Sequence, residues 1–187
     1  MTRSRDIANL GDGITTADIG DGQVTAGKLN STLDLTGKTV TLPSGVGGKV
    51  LQVVQDTATA TFTQPSATYA GNGLSATITP ASTSNKILIL VSGAMYQSSS
   101  SQHSIATVFR GGVSSGTDLS PVGGGHGMAD CYSGASGVIV NVSISFVDSP
   151  TTDVAVTYEV ATKVTNGSAI FPVNNGLCSI TLLEISG

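Results

Sequence analysis

The side chains in this sequence best suited to moving protons or holding metals are His103, His126, Asp130 and Cys131. Imidazoles joined by a carboxylate or a thiolate make a transition-metal ligand set once a fold gathers them. No His-x-x-x-His or Cys-x-x-Cys spacing gathers them locally. The sequence therefore assigns no metal and no cofactor, and reads the four as polar loop residues. Asp12 and Asp21 each stand between glycines. Ca²⁺ requires six to eight oxygens, so one carboxylate per Gly-Asp-Gly reads as a turn stabiliser instead.

Other catalytic signatures fail in detail. Pro43-Ser-Gly-Val-Gly-Gly-Lys49-Val50 approaches a phosphate-binding loop, but Pro43 replaces the first glycine and Val50 replaces the Mg²⁺-binding hydroxyl. Glycoside hydrolysis uses two facing carboxylates. Glu159, Glu184, Asp118 and Asp130 are present, and no spacing marks out a pair. No Gly-x-Ser-x-Gly elbow occurs, and the many serines make any Ser-His-Asp combination uninformative. These readings point to a binding or structural protein, not an enzyme.

Composition agrees. Only 11% of the 187 residues are charged, just eight are Lys or Arg, and the net charge is −4. A phosphate backbone or an anionic membrane surface needs clustered cations, so neither is an expected partner. The longest aliphatic run, Ile87–Val91, is too short to insert in a bilayer. No apolar stretch follows Arg3 and Arg5, so no secretory signal is read. Production in the cytoplasm is expected, with exit by lysis or inside a particle. Cys131 and Cys178 are the only cysteines, and both are expected to be reduced.

The elements carrying these residues divide the chain at about residue 45. Leu10-Gly-Asp-Gly-Ile-Thr15 is echoed by Ile19-Gly-Asp-Gly-Gln-Val-Thr25, a repeat of about ten residues. Glycine supplies the turns and Ile-Thr or Val-Thr the short extended pieces. Single aliphatics recur at Ile7, Leu10, Ile14, Ile19, Val24, Leu29, Leu33 and Leu35. Such a strip closes no core alone, and two copies are too few for a solenoid. The remaining solution is intermolecular, with identical chains turning Leu10, Ile14, Ile19, Val24, Leu29, Leu33 and Leu35 towards one axis. Ile7, Leu10 and Ile14 have heptad spacing, so a short helical turn is allowed before the spiral.

Residues 46–187 read as a β-sandwich head. Strands are expected at 49–54, 59–63, 74–79, 86–91, 105–109, 138–147, 153–164, 169–173 and 180–185. Most alternate apolar and polar residues, whereas Ile87–Val91 reads as buried on both faces. Between them, 96–103 and 111–137 read as loops, and long loops in a compact domain are usually functional.

Several segments resemble bacteriophage tail fibres. Gly22-Gln-Val-Thr-Ala-Gly-Lys-Leu-Asn-Ser-Thr-Leu-Asp-Leu-Thr-Gly-Lys-Thr-Val-Thr-Leu-Pro43 is similar to a fibre shaft. Gly73-Leu-Ser-Ala-Thr-Ile-Thr-Pro80, Ser84-Asn-Lys-Ile-Leu-Ile89, Val108-Phe-Arg-Gly111 and Ser179-Ile-Thr-Leu-Leu-Glu-Ile185 are similar to the heads such fibres carry. The resemblance implies an all-β homotrimer: an N-terminal shaft (1–45) and a jelly-roll head (46–187) of the tumour-necrosis-factor and C1q type. It also implies a virion tail location and host attachment. Arg3, Arg5, Asp6 and Ile7 would then dock to baseplate or tail. Tyr96, His103, His126, Asp130 and Tyr132, aromatic and polar groups on the two loops, would face a host glycan or protein. The alternative is an architectural virion protein, a capsid decoration or collar fibre, with no receptor.

Overall fold

The computed structural model describes residues 50–120, 125–173 and 175–187. The shaft, its axis aliphatics Leu10 to Leu35, the short helical turn and the docking residues Arg3 to Ile7 all lie outside the described residues. Within the described residues the chain is all-β, with eleven strands and no helix, and hence no helix able to cross a membrane. The strands are β1 (Val50–Ala58), β2 (Thr63–Gln64), β3 (Ala70–Ile78), β4 (Lys86–Gln97), β5 (Gln102–Arg110) and β6 (Thr117–Asp118). They continue with β7 (Ala129–Ser133), β8 (Val138–Asp148), β9 (Val156–Val164), β10 (Ala169–Ile170) and β11 (Cys178–Ile185).

All pairings are antiparallel, in two sheets. Sheet A runs β1-β11-β4-β8, with β10 and β2 extending it beside the far end of β4. Sheet B runs β3-β9-β5, and β5 carries both β6 and β7 on its free edge. The period-two alternation decides which side of each strand enters the sandwich. Ile87, Ile89, Val91 and Met95 of β4 meet Ile180 and Leu182 of β11 and Val142 and Ile144 of β8. From sheet B come Leu74, Ala76, Ile78, Ala106, Val108, Tyr158 and Val160. Each such large aliphatic contributes about 1.5–3 kcal/mol by leaving water. Gly93 sits among them because a Cβ there would lie 2.9 Å from the Phe171 ring and would collide with Cys178 Sγ.

The buried carboxylates Glu184 and Asp148 are matched to partners, as burial demands. Glu184 is 1% exposed. Its carboxylate accepts hydrogen bonds from Asn85 Nδ2 (2.6 Å), Gln52 Nε2 (2.6 Å) and the Ala81 amide (2.7 Å). Burial pushes its pKa up, but these three donors outweigh burial and hold it below the ordinary value. Asp148 of sheet A joins the two layers. Both its oxygens lie 3.0 Å from Arg110 Nη1, and Tyr158 donates to it at 2.7 Å, both partners coming from sheet B. Burial, then this hydrogen bond, raises the Tyr158 pKa far above the phenol range.

Three sequence expectations need correction. The continuous run Ile87–Val91 is not buried on both faces: Leu88 is half-buried and Leu90 is 38% exposed, because among the described residues nothing covers the outside of sheet A there. The loop expected over 96–103 is only Ser98–Ser101. Tyr96 and Gln97 finish β4, Gln102 and His103 begin β5, and buried Gln97 bonds the Gln102 carbonyl at 2.8 Å. The stretch 111–137 contains two strands, β6 and β7. Β7 lacks apolar alternation and is held by its ladder to β5.

Candidate functional site

The chemically active side chains meet on the outer face of sheet B. The β5–β7 register sets His103 opposite Tyr132 and Ile105 opposite Asp130. Alternation then puts His103, Ile105, Asp130 and Tyr132 on one side, and Ser104 and Ala106 on the other. Ile105 is only 2% exposed, yet it stands apart from the sandwich core. It is covered by the segment Gly125–Met128, which folds back over β5 and anchors through the Met128 amide to the Ala106 carbonyl at 2.9 Å. Gly125 and Gly127 both have positive φ, 80° and 61°. A Cβ on Gly127 would lie 2.6 Å from the Ala106 carbonyl and 2.7 Å from Ile105 Cγ2. Only glycine permits both the conformation and the approach, and the result is that His126 hangs over Asp130.

His103 Nδ1 lies 3.0 and 2.9 Å from the two Asp130 oxygens, and His126 Nδ1 lies 2.5 Å from Oδ2. The imidazole centroids are 5.5 Å apart, and the Tyr132 ring stacks obliquely on His103 at 4.8 Å. The Asp130 side chain is 19% exposed and that of His126 59%, so the cluster opens to solvent through His126. Tyr132 is 59% exposed. Beside them Lys163 Nζ rests 4.4 Å from the Tyr69 ring centre, and Tyr69 packs edge-on against Phe109. Burial, then the charges of Asp118 and Asp130, pushes the Tyr69 hydroxyl up to about 12. The patch therefore offers aromatic faces, two imidazoles, an amine and a carboxylate.

Four of the five residues expected to contact a receptor thus stand together: His103, His126, Asp130 and Tyr132. Tyr96 does not join them. It lies on β4 in sheet A, paired with Ile139 and Ile170. Tyr69 and Lys163 belong to the patch and were not singled out in the sequence; the glycines flanking His126 were the available signal for the segment that covers them. Cys131 projects the other way, with Sγ 3.4 Å from Gln97 Oε1, beside a cleft of about 260 Å³ lined by Met95, Cys131, Val140 and Val142. Burial, then Asp130, pushes its thiol pKa up, which disfavours a thiolate. Both cysteines are free.

Two other carboxylates weighed in the sequence, Glu159 and Asp118, have local structural partners. Glu159 Oε2 accepts from the Val113 amide at 2.9 Å, in the turn that begins with positive-φ Gly111 and Gly112. Asp118 accepts from Thr107 Oγ1 at 2.7 Å and from the Ser120 amide at 2.9 Å. Comparison with protein-family models and with curated proteins returns no match for this chain.

Proposed function

We propose that this chain is the subunit of a homotrimeric virion attachment fibre whose head associates through sheet A and meets the host surface through sheet B. One observation carries the reading. Val53 of β1, Leu183 of β11, Leu88 of β4 and Val147 of β8 are consecutive cross-strand partners on the outside of sheet A. They form an unbroken apolar row across four strands, ending in Val53 at 58% and Val147 at 48% exposure. Leu51, Leu90 and Ile139 extend the exposed apolar surface of the same strands. A β-sheet face with this composition calls for a cover, and identical copies of the head are the cover that also fits the aliphatic strip of residues 10–35.

The strand order supports a jelly roll. Taking the eight longer positions β1, β3, β4, β5, β7, β8, β9 and β11 as one to eight, sheet A reads 1-8-3-6 and sheet B reads 2-7-4-5. That is the order of two interlocked Greek keys. The aromatic and ionisable patch on sheet B supports glycan or protein contact, since rigid rings give area and flanking polar groups give orientation. No catalytic role is proposed, and the head acts by binding.

Light scattering on the full chain tests the assembly. The expected mass is three times 18.7 kDa; a folded monomer overturns the reading. Immunogold labelling of particles tests the site of action. Label at the tail tip, with purified protein competing for adsorption, is expected. Label on the capsid with no competition would give way to a purely architectural role.

A further inference from the structure

We propose that His103, His126 and Asp130 bind one divalent transition-metal ion, with Zn²⁺ as the type case, and leave one coordination position open to solvent. This goes beyond the attachment reading and does not depend on it.

The donor chemistry selects the class of ion. Two imidazole nitrogens and one carboxylate suit Zn²⁺ and its neighbours, whereas Ca²⁺ and Mg²⁺ want oxygen. The geometry is nearly assembled. One donor atom from each of the three residues lies within 4.8 Å of the others. A tetrahedral ion with bonds of about 2.0–2.1 Å spaces its donors by roughly 3.3 Å. Asp130 need only back away slightly from each Nδ1 for the ion to enter between them. The two imidazoles now face the carboxylate through Nδ1. An imidazole takes a metal through an unprotonated nitrogen, so any proton on Nδ1 leaves to water or moves to Nε2 as the ion enters, and no redox change occurs.

The scaffold holds the ligands in place. His103 and Asp130 stand on paired strands, where register fixes their separation. His126 follows Gly125 and precedes Gly127, whose backbone conformations press the segment onto β5. Lys163, the nearby cation, is drawn over the Tyr69 ring. Three protein ligands with a solvent-facing fourth side are the pattern of a site that accepts an exogenous ligand, in contrast to a closed structural site. An ion here would clamp the His126 segment to the sheet and present a Lewis-acidic point beside Tyr132.

The test uses the full chain without a histidine tag. Equilibrium dialysis against Zn²⁺ should give one ion per chain, and Co²⁺ in its place should give a visible ligand-field spectrum of low-symmetry nitrogen–oxygen coordination. His126→Ala and Asp130→Asn should each weaken binding by roughly tenfold or more, since even outer-shell changes cost 10–100-fold. Neither should change the circular dichroism of the metal-free protein. Should His103→Ala fail to fold, exposed His126 still decides the matter. Absence of bound ion, or stoichiometry and affinity unchanged in His126→Ala, overturns the proposal.

Discussion

The two sheets share one core and differ on their outer sides. Sheet A shows water a row of Val, Leu, Leu and Val. Sheet B shows two histidines, a carboxylate, a lysine and tyrosines. Inward, both carry the same Ile, Leu and Val alternation. The inner sides specify the sandwich; on the function proposed above, the outer sides divide two jobs between them, association on one and recognition on the other.

The contrast can be broken most forcefully at Leu88. Leu88→Glu puts a charge in the middle of the apolar row. If copies cover that row, the charge is desolvated without a partner, at a cost of several kcal/mol. Light scattering should then show the assembly lost, and an unchanged mass would mean that sheet A is not the interface.

Glu184 tests whether sheet A also depends on its buried charge. Glu184→Leu leaves the Asn85 and Ala81 donors unsatisfied, while Gln52 keeps the Thr79 carbonyl, and about 3 kcal/mol of stability should go, at about 1–3 kcal/mol for an unmet buried group. The pH dependence has a definite sign. The folded pKa lies below the ordinary value of 4.5, so this contribution is complete above that value and fades as pH falls through the lower, folded one. Urea titrations stepped downward from pH 4.5 should show the wild-type protein losing stability faster than Glu184→Leu.

The smallest structural effect belongs to sheet B. Tyr132→Ala removes an exposed ring, so stability should move by no more than about 0.5 kcal/mol and oligomer mass should stay the same. Adsorption to susceptible cells should drop. Unchanged adsorption would take Tyr132 out of the contact surface.

How much of this was legible in the sequence follows from where each signal resides. Val138–Val147 alternates residue by residue, and β8 emerged where expected. The run from Ile87 to Val91 was legible as strand but not as to its surroundings. A continuous apolar stretch looks the same whether its second side meets its own chain or another. Β7 was invisible because Asp130-Cys131-Tyr132 has no apolar rhythm; its strand conformation comes from pairing with β5, whose partners, from Ala106 opposite Ala129 to Gln102 opposite Ser133, lie far earlier in the chain. Gln97 and Gln102 looked like loop residues, and became strand because each finds buried partners. For the site, the residue types were readable and their meeting was not. His103 and Asp130 come together by register, and His126 by the positive φ of its neighbouring glycines. Neither leaves a spacing motif.

The register of β5 with β7 has a consequence for how this surface can change. His103 and Tyr132 occupy outward positions, while Ser104, Ala106 and Val108 do the packing. A substitution outward leaves the core's volume and shape as they were. These outward positions can thus be rewritten, one strand position at a time, while the same scaffold is inherited intact.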